Sequence, residues 1–131
     1  DRYFQLYVAD SKNNRIQLFK PGEKRGNTVA GVGSSGILGN ISLDLPTDIA
    51  LDFDDNLYIV DSGGHRIIRF VFNEYQCLVG CSLPTGSGLS QLHFPHSFSF
   101  DSYGNIFVID LSDRIQKFLL STNSCGKFFG D

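Results

Sequence analysis

Short apolar stretches, each roughly five to seven residues long and bounded by polar residues, run along the chain. Apolar and polar positions alternate within Ile49–Phe53 and Arg66–Phe70, which is the two-residue period of a half-buried β-strand. β-Branched and aromatic residues dominate these stretches, and Gly, Asn, Asp and Pro bound them. No window keeps the spacing of an amphipathic helix. The pattern therefore predicts an all-β protein.

One arrangement of these stretches occurs three times. The segment Leu6–Asp10 (LYVAD) returns as Leu57–Asp61 (LYIVD) and as Ile106–Asp110 (IFVID), at offsets of 51 and 49 residues. Each copy precedes a stretch that begins with Arg-Ile. The second and third copies follow a Pro-led segment, and a weaker strand is predicted after each Arg-Ile stretch, at about 27–31, 76–80 and 124–129. The repetition predicts tandem units of four short antiparallel strands, about eleven strands in all.

The repeated phrases closely resemble the NHL repeat. The resemblance is carried by Pro-x-x-Ile-x-x-Asp at Pro46–Asp52, by NLYIVDSGGHRI at Asn56–Ile67 and by NRIQLF at Asn14–Phe19. It implies an NHL-type β-propeller built from four-stranded antiparallel blades. The expected blades are 1–45, without its first strand, 46–94 and 95–131.

An arc of about two and three-quarter blades is short of a closed ring. Propellers close with four to eight blades, and six blades at this period would take roughly 290 residues. A fragment of a larger, six-bladed propeller is therefore the favoured interpretation. The alternatives are two copies that close one ring and an open arc that is stable alone. The expected partners in the ring are the remaining blades of a parent chain, or a second copy.

Composition and charge disfavour some classes of function. The formal net charge is −3 and the basic residues are scattered, so a nucleic-acid partner is not expected. No apolar run approaches the length of a membrane-spanning helix.

The three cysteines and one sequon bear on the compartment. Cys77 and Cys81 are close enough in sequence for a disulfide that closes a local loop, which leaves Cys125 unpaired or paired outside the chain. Asn40 opens an N-glycosylation sequon. Together they favour an extracellular protein over the cytoplasmic alternative.

Two motifs point to ligands but have structural interpretations. Gly31–Gly36 (GVGSSG) matches the dinucleotide-binding pattern, but no helix follows it, and a loop between blades is favoured. Asp52–Asn56 resembles the opening of a calcium loop, yet Leu57 and Gly63 occupy the positions that require Gly and Glu. A β-turn is the favoured interpretation of this segment.

His93 and His96 flank Phe94-Pro95, but a zinc site usually needs three or four ligands, and no metal or cofactor is predicted. An acid that recurs in every unit is a poor candidate for a unique catalytic group. Each strand-ending Asp is instead expected to pair with the following Arg and to fix the loop between them. These structural repeat positions are Asp10, Arg15, Asp61, Arg66, Asp110 and Arg114.

Long loops on a rigid scaffold favour binding. In a propeller the loops 32–45 and 81–94 lie on one face with the shorter loops 11–14, 62–65 and 111–113. The leading hypothesis is a non-catalytic scaffold that recognises a protein or a glycan. Its candidate binding residues are Asn13, Asn14, His65, Gln91 and His93. The alternatives are part of a metal-dependent propeller enzyme of lyase or lactonase type, and an RNA-binding NHL module.

Overall fold

A computed structural model describes residues 1–32, 41–71, 74–81, 86, 88–120 and 128–130. These residues form eleven strands in three antiparallel sheets, and the only helical element among them is a 3-10 turn at Ser11–Asn13. The all-β prediction is confirmed. The described part of the chain contains no helix of the length and apolarity needed to cross a membrane.

Each sheet is a meander in which strands adjacent in sequence pair with one another. Sheet 1 has three strands, β1 (Leu6–Asp10), β2 (Arg15–Phe19) and β3 (Asn27–Gly31). Sheet 2 has four, β4 (Pro46–Leu51), β5 (Leu57–Asp61), β6 (Arg66–Val71) and β7 (Glu74–Val79). Sheet 3 also has four, β8 (Ser97–Phe100), β9 (Ile106–Asp110), β10 (Arg114–Leu120) and β11 (Phe128–Gly130).

The three sheets share one register. Asp10 lies opposite Arg15, Asp61 opposite Arg66 and Asp110 opposite Arg114, so each Asp-to-Arg segment closes a hairpin at the same position. Sheets 1 and 2 also share a bulge, because the pairing shifts between Ile16 and Gln17 and again between Ile67 and Ile68.

A glycine lies at the end of β3 and another directly after β7, the strands that face the bulges. Gly31 and Gly80 have φ of +87° and +78°. A Cβ at Gly31 would overlap the backbone oxygen of Asn14, and a Cβ at Gly80 would overlap that of His65. Glycine is thus required at both positions by conformation and by close approach.

The turn that precedes β1, β5 and β9 is also repeated. Asp52 Oδ1 accepts hydrogen bonds from the N–H groups of Asp54 and Asn56, at 3.0 and 2.9 Å. Asp101 accepts two such bonds in sheet 3, and Asp1 accepts two before β1. A short carboxylate that bonds to the backbone two residues on is a common turn device. The Asp52–Asn56 segment is accordingly a turn.

Apolar side chains fill the spaces between the sheets. One cluster joins sheets 1 and 2 and consists of Ile16, Val29, Ala30, Ile41, Leu43, Leu57, Ile59, Ile68 and Phe70. The other joins sheets 2 and 3 and consists of Tyr58, Val60, Ile67, Val79, Leu92, Phe98, Ile106, Val108 and Phe118. Alternate residues of β5 point to opposite faces of its sheet. The uninterrupted apolar run Leu57–Val60 therefore contributes to both cores.

Candidate functional site

The candidate site is the edge of the sheets that contains the turns from β1 to β2, from β5 to β6 and from β9 to β10. We call it the turn edge, and it consists of the turns Ser11–Asn14, Ser62–His65 and Leu111–Asp113. The segments 41–45 and 88–94 lead into the first strands of sheets 2 and 3 beside these turns, and we call them the entry loops.

In sheet 2 an Asp–Arg pair holds the entry loop. Asp61 is fully buried, and its Oδ2 accepts a hydrogen bond from Arg66 Nε at 2.7 Å. Its Oδ1 accepts the N–H of Asp44 at 2.6 Å, while Arg66 Nη2 donates to the carbonyl oxygen of Ser42 at 2.6 Å. The pair thus binds two backbone groups of the loop, which explains how an ion pair fixes a segment distant in sequence.

The equivalent pair in sheet 3 has the same role. Asp110 Oδ2 lies 3.0 Å from Arg114 Nη2 and accepts the N–H of His93 at 3.2 Å. Arg114 Nη2 also donates to the carbonyl oxygens of Gln91 and Gly86, at 2.8 and 3.0 Å. Two independent copies of the motif therefore hold their entry loops in the same way.

In sheet 1 no entry loop contacts the pair among the described residues. Arg15 Nε lies 2.8 Å from Asp10 Oδ2, and both side chains are partly exposed. The amide of Asn13 donates to Asp10 Oδ1 at 2.8 Å, so this carboxylate bonds to a residue of its own turn. The Asp–Arg pairing predicted from the sequence is therefore seen in all three sheets, but its surroundings differ.

The three carboxyl groups differ in pKa. Burial raises the pKa of Asp61, against the hydrogen bonds from Asp44 and Arg66 that lower it. Burial opposes ionisation of Asp110 too, but hydrogen bonds from Arg114 and from the N–H groups of Ser112 and His93 outweigh it and hold its pKa below the ordinary value. Hydrogen bonds from Arg15 and Asn13 lower the pKa of Asp10.

A second repeated contact links each sheet to the next. Asn14 Oδ1 accepts the N–H of Leu45 at 2.9 Å, and His65 Nδ1 accepts the N–H of Phe94 at 3.0 Å. Both acceptors directly precede the Arg of the turn, and both have left-handed backbone, with φ of 53° and 54°. Asp113 has the equivalent position in sheet 3, with φ of 54°. We call Asn14 and His65 the junction acceptors.

Three ring side chains meet between the turn of sheet 2 and the entry loop of sheet 3. The rings of His65 and Phe94 lie edge to face with centroids 4.3 Å apart, and His93 stacks parallel to His65 at 6.1 Å. Burial and the neighbouring His93 lower the pKa of His65. Since Nδ1 accepts a hydrogen bond, the ring is neutral with its proton on Nε2. We call His65, His93 and Phe94 the ring cluster.

The structure assigns different surroundings to the five binding candidates. His65 and His93 lie together in the ring cluster, whereas Asn13 and Asn14 bond to Asp10 and Leu45 as described above. Gln91 Oε1 accepts the N–H of Gly88 at 2.9 Å. Phe94 was not a candidate from the sequence, although its position directly before a Pro that opens a strand marks it as an entry-loop residue.

Other residues named from the sequence lie elsewhere. His96 is exposed and lines a recess on sheet 3 with Ile109, Leu111 and Asp113. In the described part of the chain no three His, Cys, Asp or Glu side chains are grouped to hold a metal ion. Cys77 and Cys81 form a disulfide, with Cα atoms 5.7 Å apart. Asn40 and Cys125 lie outside the described residues.

A scan against models of known protein families found no match, and a search of curated proteins found none. The resemblance to the NHL repeat rests on the repeated residues themselves.

Proposed function

We propose that this chain is a non-catalytic recognition module whose three sheets are successive blades of an NHL-type β-propeller. The shared register of the three sheets, the bulge that sheets 1 and 2 have in common and the two cores between the sheets support this arrangement. The proposed ligand is a protein or a glycan, and the proposed binding surface is the turn edge.

The ring cluster is the observation that carries the proposal. Its three rings come from two different segments, and each segment is held in place by an Asp–Arg pair whose Asp is buried. Phe94 keeps 36% of its surface exposed and both imidazoles are partly exposed. Aromatic rings with an apolar body and a polar edge are enriched at recognition surfaces, and a rigid support lowers the entropic cost of binding.

The Cys77–Cys81 disulfide supports an extracellular setting for this module. Disulfides persist in oxidising compartments and are rare where thiols are kept reduced. Extracellular proteins and glycans are therefore the ligands to screen first.

The test is a screen of the full chain, in oxidised form, on a glycan array and on an array of extracellular proteins. The expected result is a saturable ligand whose affinity falls about tenfold or more in both Phe94→Ser and His93→Ala. Tyr103→Ser is the matched control, because Tyr103 is an aromatic residue 82% exposed in the turn at the opposite edge of sheet 3. A ligand that both variants bind normally, or the absence of any saturable ligand, contradicts the proposal.

A further inference from the structure

The hairpin between β2 and β3 is the exception to the scatter of basic residues along the chain. Lys20, Lys24 and Arg25 lie within six residues of sequence, and all three are exposed. We call Lys20–Gly26 the basic hairpin. It follows β2, which begins at the turn edge, so it lies at the opposite edge of sheet 1. It is therefore a surface separate from the ring cluster.

The backbone of the basic hairpin is fixed at both ends. The N–H of Glu23 donates to the carbonyl oxygen of Lys20 at 3.0 Å, and the two residues between them are Pro-Gly, with φ of +79° at the Gly. This pair is the one that a type II β-turn favours at its centre. At the other end, a Cβ on Gly26 would come within 2.7 Å of the ring of Phe19. The cations are thus presented on an ordered turn.

The cations of the basic hairpin differ from the other basic side chains in lacking internal partners. Five of the six arginines in the described ranges have side-chain partners within the protein, namely Arg2, Arg15, Arg66, Arg69 and Arg114. The side chain of Arg25 forms no ion pair or hydrogen bond with the described residues, and the same holds for Lys20 and Lys24. Their donors therefore remain available to a ligand.

A recess of about 410 Å³ lies beside the basic hairpin. Lys24 and Arg25 line it together with Glu23 and Asn27. The amide of Asn27 donates to Glu23 Oε2 at 3.4 Å, so a residue of β3 already bonds to the carboxylate of the lining. The hairpin thus has three cations against one carboxylate, in a chain whose formal net charge is −3. Such a local excess of positive charge attracts anions.

The repeat itself does not require these charges. In sheet 2, β6 ends at Val71 and β7 begins at Glu74, and the two residues between them are Phe and Asn. The connection in sheet 1 is longer and basic, although the strands that it joins are equivalent. An elaborated loop on a repeated scaffold favours a role in binding over a role in folding.

We propose that the basic hairpin binds a sulfated glycan. Arg25 presents a planar fork of N–H donors that matches two oxygens of one sulfate, and the lysines supply point charges for neighbouring sulfates. The Cys77–Cys81 disulfide favours an oxidising compartment, and sulfated glycans are the polyanions of the extracellular space. The site is separate from the ring cluster and does not rest on the recognition function proposed above.

The probe is a fluorescently labelled heparin oligosaccharide of defined length, titrated with the full oxidised chain at low ionic strength and followed by anisotropy. The expected result is saturable binding that weakens about fivefold or more in both Lys24→Gln and Arg25→Gln. Lys12→Gln is the matched control, because Lys12 is also an exposed lysine but lies at the turn edge. Phe94→Ser should bind the probe normally, which separates this site from the ring cluster. All variants are first checked for an unchanged melting temperature.

The sign of the Glu23 effect and two competitor polyanions complete the test. Glu23→Gln is expected to tighten binding, because the substitution removes a negative charge from the lining of the recess. Hyaluronan, which carries carboxylates without sulfate, and single-stranded DNA of the same charge are each expected to bind about tenfold more weakly. Equal binding of the DNA would indicate general attraction of polyanions and overturn the proposal. An equal loss in Lys12→Gln, weaker binding in Glu23→Gln, or no binding of the probe up to about 1 mM overturns it as well.

Discussion

Sheet 1 and sheet 2 are built from the same repeated residues, yet their surroundings differ. Asp61, Leu57 and His65 of sheet 2 have Asp10, Leu6 and Asn14 as their counterparts in sheet 1. Asp61 and Leu57 are buried by the entry loop, β4 and sheet 1. Their counterparts Asp10 and Leu6 are partly and largely exposed, respectively. The comparison teaches that the repeated motif supplies the geometry, and that its energetic value depends on the elements that cover it.

The largest difference in the free energy of unfolding is expected between variants of Asp61 and Asp10, the carboxylates that end β5 and β1. Asp61→Ala leaves the buried side of Arg66 and the N–H of Asp44 without their acceptor, and should cost about 3 kcal/mol of unfolding free energy. Asp10→Ala should cost much less, because water replaces the lost partner of Arg15. Urea unfolding of both variants measures the two costs. Equal costs would show that burial does not govern the value of the pair.

A somewhat smaller difference in the free energy of unfolding is expected between variants of Leu57 and Leu6, the leucines that begin β5 and β1. Leu57→Ala opens a cavity in the core between sheets 1 and 2, and should cost about 2.5 kcal/mol. Leu6→Ala should change the free energy of unfolding by no more than about 0.5 kcal/mol, as for an exposed side chain. Thermal and urea unfolding give both values. A large loss in Leu6→Ala would show that exposure does not govern the cost of this substitution.

The smallest difference lies between the junction acceptors His65 and Asn14, and it concerns how the free energy of unfolding depends on pH. The pKa of His65 is lowered in the folded protein, so its stabilising effect is complete above the ordinary value near 6.5 and is lost as the pH falls below it. Protonation of Nδ1 also removes the acceptor of the Phe94 N–H, which should cost at most about 1 kcal/mol. The groups whose charges act on His65 are His93, Asp44 and Asp61.

His65→Asn is the matched variant for this effect, because Asn14 has the same role in sheet 1 with an acceptor that does not titrate. Unfolding free energies measured between pH 7.5 and pH 5 should fall less in His65→Asn than in the parent chain. The reciprocal variant Asn14→His should add a pH dependence at the first junction. An unchanged pH profile in both variants would show that neither acceptor contributes.

Local pattern predicted most of the strands. The two-residue period and the Gly, Asn and Asp residues at turns depend on neighbours in sequence, and so does the pairing of Asp with an Arg four or five residues later. The Asp–Arg pair of sheet 2 binds backbone groups of Ser42 and Asp44, which lie about twenty residues away in sequence. Contacts over this distance leave no periodic pattern in the sequence. The left-handed backbone of Asn14 and His65 was equally hidden, because neither residue is a glycine.

The ring cluster was the hardest feature to predict. His65 and Phe94 are 29 residues apart, one in the turn of sheet 2 and the other in the entry loop of sheet 3, so only the stacking of two sheets brings them together.

The two-sided burial of sheet 2 has a consequence for synthesis on the ribosome. The face of β5 and β6 that carries Tyr58, Val60 and Ile67 is covered by Phe98, Val108 and Phe118, which are translated about forty residues later. At about 5–20 residues per second, this face stays uncovered for seconds in every nascent chain. A chaperone that binds β-forming apolar segments would have its best opportunity at Leu57–Val60, before the third repeat has emerged.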